Sequence, residues 1–178
     1  MSDLSKERED IIFNATKLYK LKNLVRYNNM SKIRDETVLE HTAMVALIVL
    51  DLAERYKFDV NKAVKLALVH DLPEIELSDI PYNVKVRFPK VNDSLKDAEL
   101  DVCCDFPCNI SSLLTDLTGE SNAETKIVKF ADIISCEIYS ASEVELGNSG
   151  KIKAVLNESR ERILEFQQEL EEFRKWKK

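Results

Sequence analysis

Two histidines, His41 and His70, are the only imidazoles in this chain of 178 residues. His70 is followed at once by Asp71 and closes the apolar series Val60, Val64, Ala67, while His41 keeps helical spacing with Val45, Ile48 and Leu52. Asp132 is embedded among Ile127, Val128, Ala131, Ile133 and Ile134. The periodicity therefore predicts two imidazoles and two carboxylates directed into apolar surroundings from three helices. A buried lone carboxylate is costly, so two of them need positive charge beside them. A divalent cation meets that need. Two neutral imidazoles with two carboxylates make a mixed nitrogen and oxygen donor set suited to Mn, Fe, Co, Ni or Zn, and they leave coordination positions open for water and substrate. Taken singly, each histidine also reads as a satisfied core residue; the joint arrangement is what asks for an ion.

The elements that must position these groups are helical. With only three glycines and four prolines against 44% hydrophobic and 33% charged residues, the chain has few helix breakers and the balance of a globular protein. Spacing predicts a first helix over 5–24, with Ile11, Ala15 and Leu18 on one stripe, and a second over 37–56. Asp59 is a fitting N-cap for a third, which ends near Asp71 because Pro73 removes a helical hydrogen bond. The two prolines of 79–89 predict a loop. Further helices are expected over 91–106, 110–117, 123–146 and 151–178, the last two separated by Gly147-Asn148-Ser149-Gly150. In the final helix Leu156, Ile163 and Leu170 recur seven apart with Phe166 and Phe173 on the same side, which predicts docking on the chain's own core rather than a coiled coil. The expectation is an all-α fold in a single domain, 1–178.

Composition narrows the function classes. The longest apolar run, 43–50, is too short to span a membrane, and the charged start of the chain lacks a secretory signal, so a cytoplasmic location is expected. Cys103, Cys104, Cys108 and Cys136 form no C-x-x-C pair and are expected to be buried free thiols. A net charge of -6 argues against duplex nucleic acid as a partner, so any anion must be held by a few local cations.

Five short segments then combine: Arg26-Tyr27; Val38-Leu39-Glu40-His41; Val69-His70-Asp71-Leu72-Pro73-Glu74; Asp79-Ile80-Pro81 followed by Lys85; and Val128-Lys129-Phe130-Ala131-Asp132. Over 21–147 the chain resembles the HD-domain phosphohydrolases, in particular their YfbR-like 5′-deoxynucleotidase branch. The resemblance implies an HD-domain helical bundle in which His41, His70, Asp71 and Asp132 bind one divalent metal: Mn, Co, Mg, Zn, Ni or Fe. It implies that Glu74 and Asp79 are catalytic and transfer protons near the attacking water, and that Arg26, Lys85 and Lys129 hold phosphate. Tyr27 stands where the branch has a tryptophan against the sugar. Lys129 is three residues before Asp132, which independently sets the two on one helix face. The implied reaction is release of phosphate from (deoxy)nucleoside 5′-monophosphates by metal-activated water, carried out by a homo-oligomer, with a dimer favoured. No histidine remains for a second metal.

Two other readings share the motifs. A small triphosphohydrolase of the DatZ type, acting on dATP, would release triphosphate. A non-catalytic nucleotide-binding module would bind without turnover.

Overall fold

Side-chain caps fix where the site-bearing helices begin. In the computed structural model, which describes residues 3–119 and 122–176, the elements are α1 (Asp3–Tyr19), α2 (Val38–Tyr56), α3 (Val60–Val69), α4 (Glu74–Leu77), α5 (Tyr82–Arg87), α6 (Pro89–Cys103), α7 (Cys108–Thr118), α8 (Ala123–Glu145) and α9 (Ile152–Trp176). Thr37 and Glu40 form a capping box at the start of α2: the Glu40 amide donates to Thr37 Oγ1 at 3.2 Å and the Thr37 amide to Glu40 Oε2 at 2.8 Å. This places His41 in the first turns of the helix. Asp59 caps α3 through the Lys62 amide at 3.0 Å, and Asn122 caps α8 through the Thr125 amide at 2.8 Å. No strand occurs among the described residues; the pair Val25 and Thr37 forms an isolated antiparallel bridge.

α8 packs against α2, α3 and α9. The main core joins Val45, Val49, Leu66, Ile127 and Phe130, and a second cluster joins Leu21, Val38, Val69, Leu72, Phe106 and Leu114 under the end of α3. Each such side chain, fully removed from water, contributes about 1.5–3 kcal/mol. α9 docks on this core through buried Leu156 and Leu170 and through Phe166, which stacks on Phe130 at 6.0 Å between ring centroids. The Phe173 side chain lies outside the described residues.

Three expectations change. The first helix gives way at Tyr19 to a 3-10 turn, Lys20–Asn23, and of its predicted stripe only Leu18 packs against the second cluster, while Ala15 is exposed and Ile11 is 62% exposed. The segment 79–89 is not a continuous loop: Pro81 and Pro89 stand at the starts of α5 and α6, where a fixed φ favours a helix and no amide donor is lost. Of the cysteines, Cys103 is buried and Cys136 half-buried, but Cys104 and Cys108 are exposed because α6 ends at Cys103. No described helix is long and apolar enough to cross a membrane.

Candidate metal and phosphate site

Three helix segments bring the predicted ligands together. His41 is fully buried on α2, His70 is the C-cap of α3, and Asp132 lies midway along α8. Asp132 Oδ1 is 3.0 Å from His41 Nε2; Asp71 Oδ2 is 3.1 Å from His70 Nε2 and 3.6 Å from His41 Nε2. Ligand atoms of His41, His70 and Asp132 all fall within 4.8 Å of one another, and Asp71 closes the cluster through its contacts to both rings. Asp132 is less enclosed than its apolar neighbours suggest. Its side chain is 39% exposed.

The outer nitrogens fix how the rings point. His70 Nδ1 donates to the Ala67 carbonyl at 2.7 Å, and His41 Nδ1 lies 3.1 Å from Ser135 Oγ. Both Nε2 atoms are thereby aimed at the carboxylates. Both are buried, and neither makes an aligned hydrogen bond. Close approach without alignment is the mark of ligands that converge on a shared point, and neutral imidazole with carboxylate is a donor set for a divalent cation. The residues fit such an ion.

Electrostatics agree. Burial alone pushes His70 down, but the Asp71 carboxylate outweighs it and raises the imidazole to about 9. His41 is lowered, by burial first and then by Arg26. Asp71 and Asp132 resist the upward push of burial and lie below the usual carboxylate range, held down chiefly by His70 and His41 respectively. Glu74 is raised by burial and by the charges of Asp71 and Asp79, and its Oε2 has no hydrogen-bond partner. Asp79 is raised mainly by burial.

Arg26 approaches from the other side. Its guanidinium is 3.3 Å from Glu36 Oε2 and 3.6 Å from Cys136 Sγ, and the Arg26 amide donates to the Glu36 carbonyl at 2.9 Å. Tyr27 has the left-handed φ of 55°, unusual for a residue with a side chain, and its ring stacks on Tyr139 at 4.9 Å with 3° between planes. Its hydroxyl is buried without a partner. The whole turn is anchored from α8. Glu143, fully buried, accepts from the amides of Ile33 at 2.7 Å and Arg34 at 2.9 Å and from Asn148 Nδ2 at 2.9 Å, and the Tyr139 hydroxyl donates to the Arg34 carbonyl at 2.7 Å.

Two cavities flank the cluster. Arg26, Tyr27, Asp79 and Cys136 line one of about 100 Å³, and Cys136 Sγ, 3.7 Å from Asp132 Oδ1, marks where it meets the cluster. His70 and Lys129 line the other, of about 340 Å³, together with Lys96 and the leucines of α6 and α7. The predicted substrate residues thus divide, with Arg26 and Tyr27 on one side and Lys129 on the other. Lys85, on α5, is close enough for its charge to act on Glu74 and Asp79.

Glu36, Ser135, Cys136 and Glu143 were not among the expected site residues. Ser135 and Cys136 carried a usable signal, being three and four residues after Asp132 on one helix face. Glu36 reaches Arg26 only through the bridge at Val25 and Thr37, and Glu143 reaches Ile33 across 110 residues.

The family model described as 5′-deoxynucleotidase YfbR-like matches residues 13–176. The chain belongs to the YfbR-like family. Family membership makes it a phosphohydrolase of the HD type, as its motifs implied. A 5′-deoxynucleotidase of Yersinia pestis (strain Pestoides F) is 29% identical over 155 residues, covering 77% of this chain and 76% of the relative. A Pyrococcus horikoshii OT3 protein of known structure superimposes with a TM-score of 0.76 at 26% identity, covering 92% of this chain and 96% of its own. The HD phosphohydrolase DatZ of cyanophage S-2L, solved with dA and one catalytic Zn2+, shares the fold at a TM-score of 0.69 and 19% identity, with 91% and 94% of the two chains covered.

Proposed function

We propose that this protein is a metal-dependent phosphomonoesterase that releases inorganic phosphate from 2′-deoxynucleoside 5′-monophosphates. The observation that carries the reading is the cavity lined by Arg26, Tyr27, Asp79 and Cys136, which adjoins the His and Asp cluster where the Cys136 thiol lies 3.7 Å from Asp132 Oδ1. His41, His70, Asp71 and Asp132 hold one divalent ion. When bound, the ion supplies an activated water nucleophile and positive charge for the phosphoryl oxygens.

The chain's own residues do the rest. Arg26 grips the phosphate through its planar fork, and Lys85 and Lys129 add compact positive charge as the oxygens become more negative. Glu74 and Asp79 both hold a proton more readily than ordinary carboxyls. Asp79 lines the cavity and is the donor to the departing 5′-oxygen; Glu74, beside Asp71, serves the water side. The Tyr27 ring, fixed by Tyr139, forms a flat floor for the sugar.

A second reading is favoured by one feature. The larger cavity beyond His70, with Lys96 and Lys129, has room for the tail of a nucleoside triphosphate, as a triphosphohydrolase requires. A release assay separates the two. The metal-loaded protein is tested on dAMP and dATP with Zn, Mn, Co and Mg, and phosphate and triphosphate are resolved. Phosphate from dAMP supports the first reading, triphosphate from dATP the second, and binding without turnover a non-catalytic module.

The reading includes a cytoplasmic homo-oligomer. Leu39, Leu47 and Leu50 form an exposed apolar stripe on α2, and Ile11, Ile12 and Phe13 are exposed around one turn of α1. A monomer in light scattering would remove that part.

A further inference from the structure

The cavity that holds Arg26 and Tyr27 has a third wall, which the phosphate chemistry does not use. Val155, Glu158, Ser159 and Arg162 line it from α9. They are spaced i, i+3, i+4 and i+7 and so share one face of the helix. The face is rigidly held, since Ile152 and Leu156, at 0% and 6% exposure, fix the same helix on the core. Opposite stands α5, whose Tyr82 ring carries the Arg162 guanidinium at 4.6 Å. Arg162 and Tyr82 therefore connect α9 to α5 in the wall of the cavity.

The groups that line the cavity match the parts of a nucleotide. Arg26, Asp79 and the metal cluster take the phosphate, and Tyr27 takes the sugar. What remains to meet α9 is the base.

We propose that Glu158 is a specificity-determining residue that reads the exocyclic amino group of the base. This rests on the nucleotide phosphohydrolase reading above. A carboxylate offers acceptors only, so it pairs with the amino N–H of cytosine, adenine or guanine and opposes the carbonyl that uracil and thymine carry at the equivalent edge. The guanidinium of Arg162 is turned toward Tyr82, so the polar groups this face presents are the Glu158 carboxylate, which only accepts, and the Ser159 hydroxyl, which both donates and accepts and so does not discriminate. Cytosine and uracil are the cleanest pair, because they differ in shape by almost nothing and at the C4 edge by an amino group against a carbonyl.

The test compares dCMP with dUMP in two measurements: kcat/KM for the metal-loaded enzyme, and Kd by calorimetry on the metal-free protein, which needs no turnover. The wild type is expected to favour dCMP about tenfold in both, the size of one hydrogen bond at a partly open site. Glu158→Ala and Glu158→Gln should each bring the ratio close to one. Equal treatment of the two by the wild type, or a preference that survives both substitutions, overturns the proposal. Preference for dUMP also overturns it and assigns base reading to Arg162. A protein that binds dCMP more tightly but releases phosphate from neither keeps Glu158 as the base reader and rejects the phosphatase reading.

Discussion

Ser135 sets the direction of His41: its hydroxyl lies 3.1 Å from Nδ1, so that Nε2 faces Asp132 at 3.0 Å. Both partners are buried. For His41 to act as a ligand through Nε2, its proton must sit on Nδ1 and be donated to Ser135. Ser135→Ala leaves that donor unpaired and frees the tautomer. Metal affinity should fall about 10- to 100-fold. Calorimetric titration with Zn checks this, and Ser135→Thr, which keeps a hydroxyl, should recover most of the loss.

Removing the ion should be visible in stability as well as in turnover. A ligand that binds only the folded state stabilises by about 2.7 kcal/mol at one hundred times its Kd. Chelation should therefore lower the melting temperature of the wild type. In Asp71→Asn and His70→Gln, added Zn should no longer raise it, and phosphate release should be lost. Melting curves with and without chelator read this directly.

Glu36 gives a pH dependence separate from the metal ligands. Burial raises its carboxyl to about 7, although Arg26 pulls the other way. An acid whose folded pKa exceeds its unfolded value near 4.5 binds the extra proton when folded, so its contribution to stability falls as pH rises from about 4.5 to about 7. Glu36→Gln should leave stability little changed at pH 4.5 and gain up to about 3 kcal/mol by pH 8. The ionised Glu36 also competes with phosphate for Arg26, so wild-type KM should climb through pH 7 while that of Glu36→Gln stays flatter.

Glu143 anchors the turn that carries Arg26 and Tyr27. Its loss leaves the amides of Ile33 and Arg34, both on exposed residues, without their buried acceptor. Glu143→Ala should cost about 1–2 kcal/mol, measured by denaturant unfolding. It should also raise KM more than it lowers kcat, since the phosphate grip is loosened while the metal cluster on α2, α3 and α8 is untouched.

Much of the fold is legible in the sequence. Helix periodicity put His41 and Asp132 on their faces, and Asp59 and Pro73 bounded α3, because local spacing and capping are short-range physics. The adjacency His70-Asp71 and the spacing of Lys129 to Asp132 are equally local. From these the fold class followed, and with it the proposal of His41, His70, Asp71 and Asp132 as ligands. The 79–89 segment was misjudged because proline both ends and begins helices, and which of these it does depends on what the next turn packs against.

Only the tertiary structure decided what stands around the ligands. Arg26 meets Glu36 and Cys136, Ser135 reaches His41 across 94 residues, and Glu143 holds Ile33 across 110. No periodicity encodes such contacts, since they arise from how α8 packs against α2 and against the turn before it. The division of the phosphate cations between two cavities, and the presence of Glu158 and Arg162 on the wall of one of them, have the same origin. The sequence by itself determined which residues can hold an ion; the packing of helices distant in the chain determined the pocket in which that ion can act.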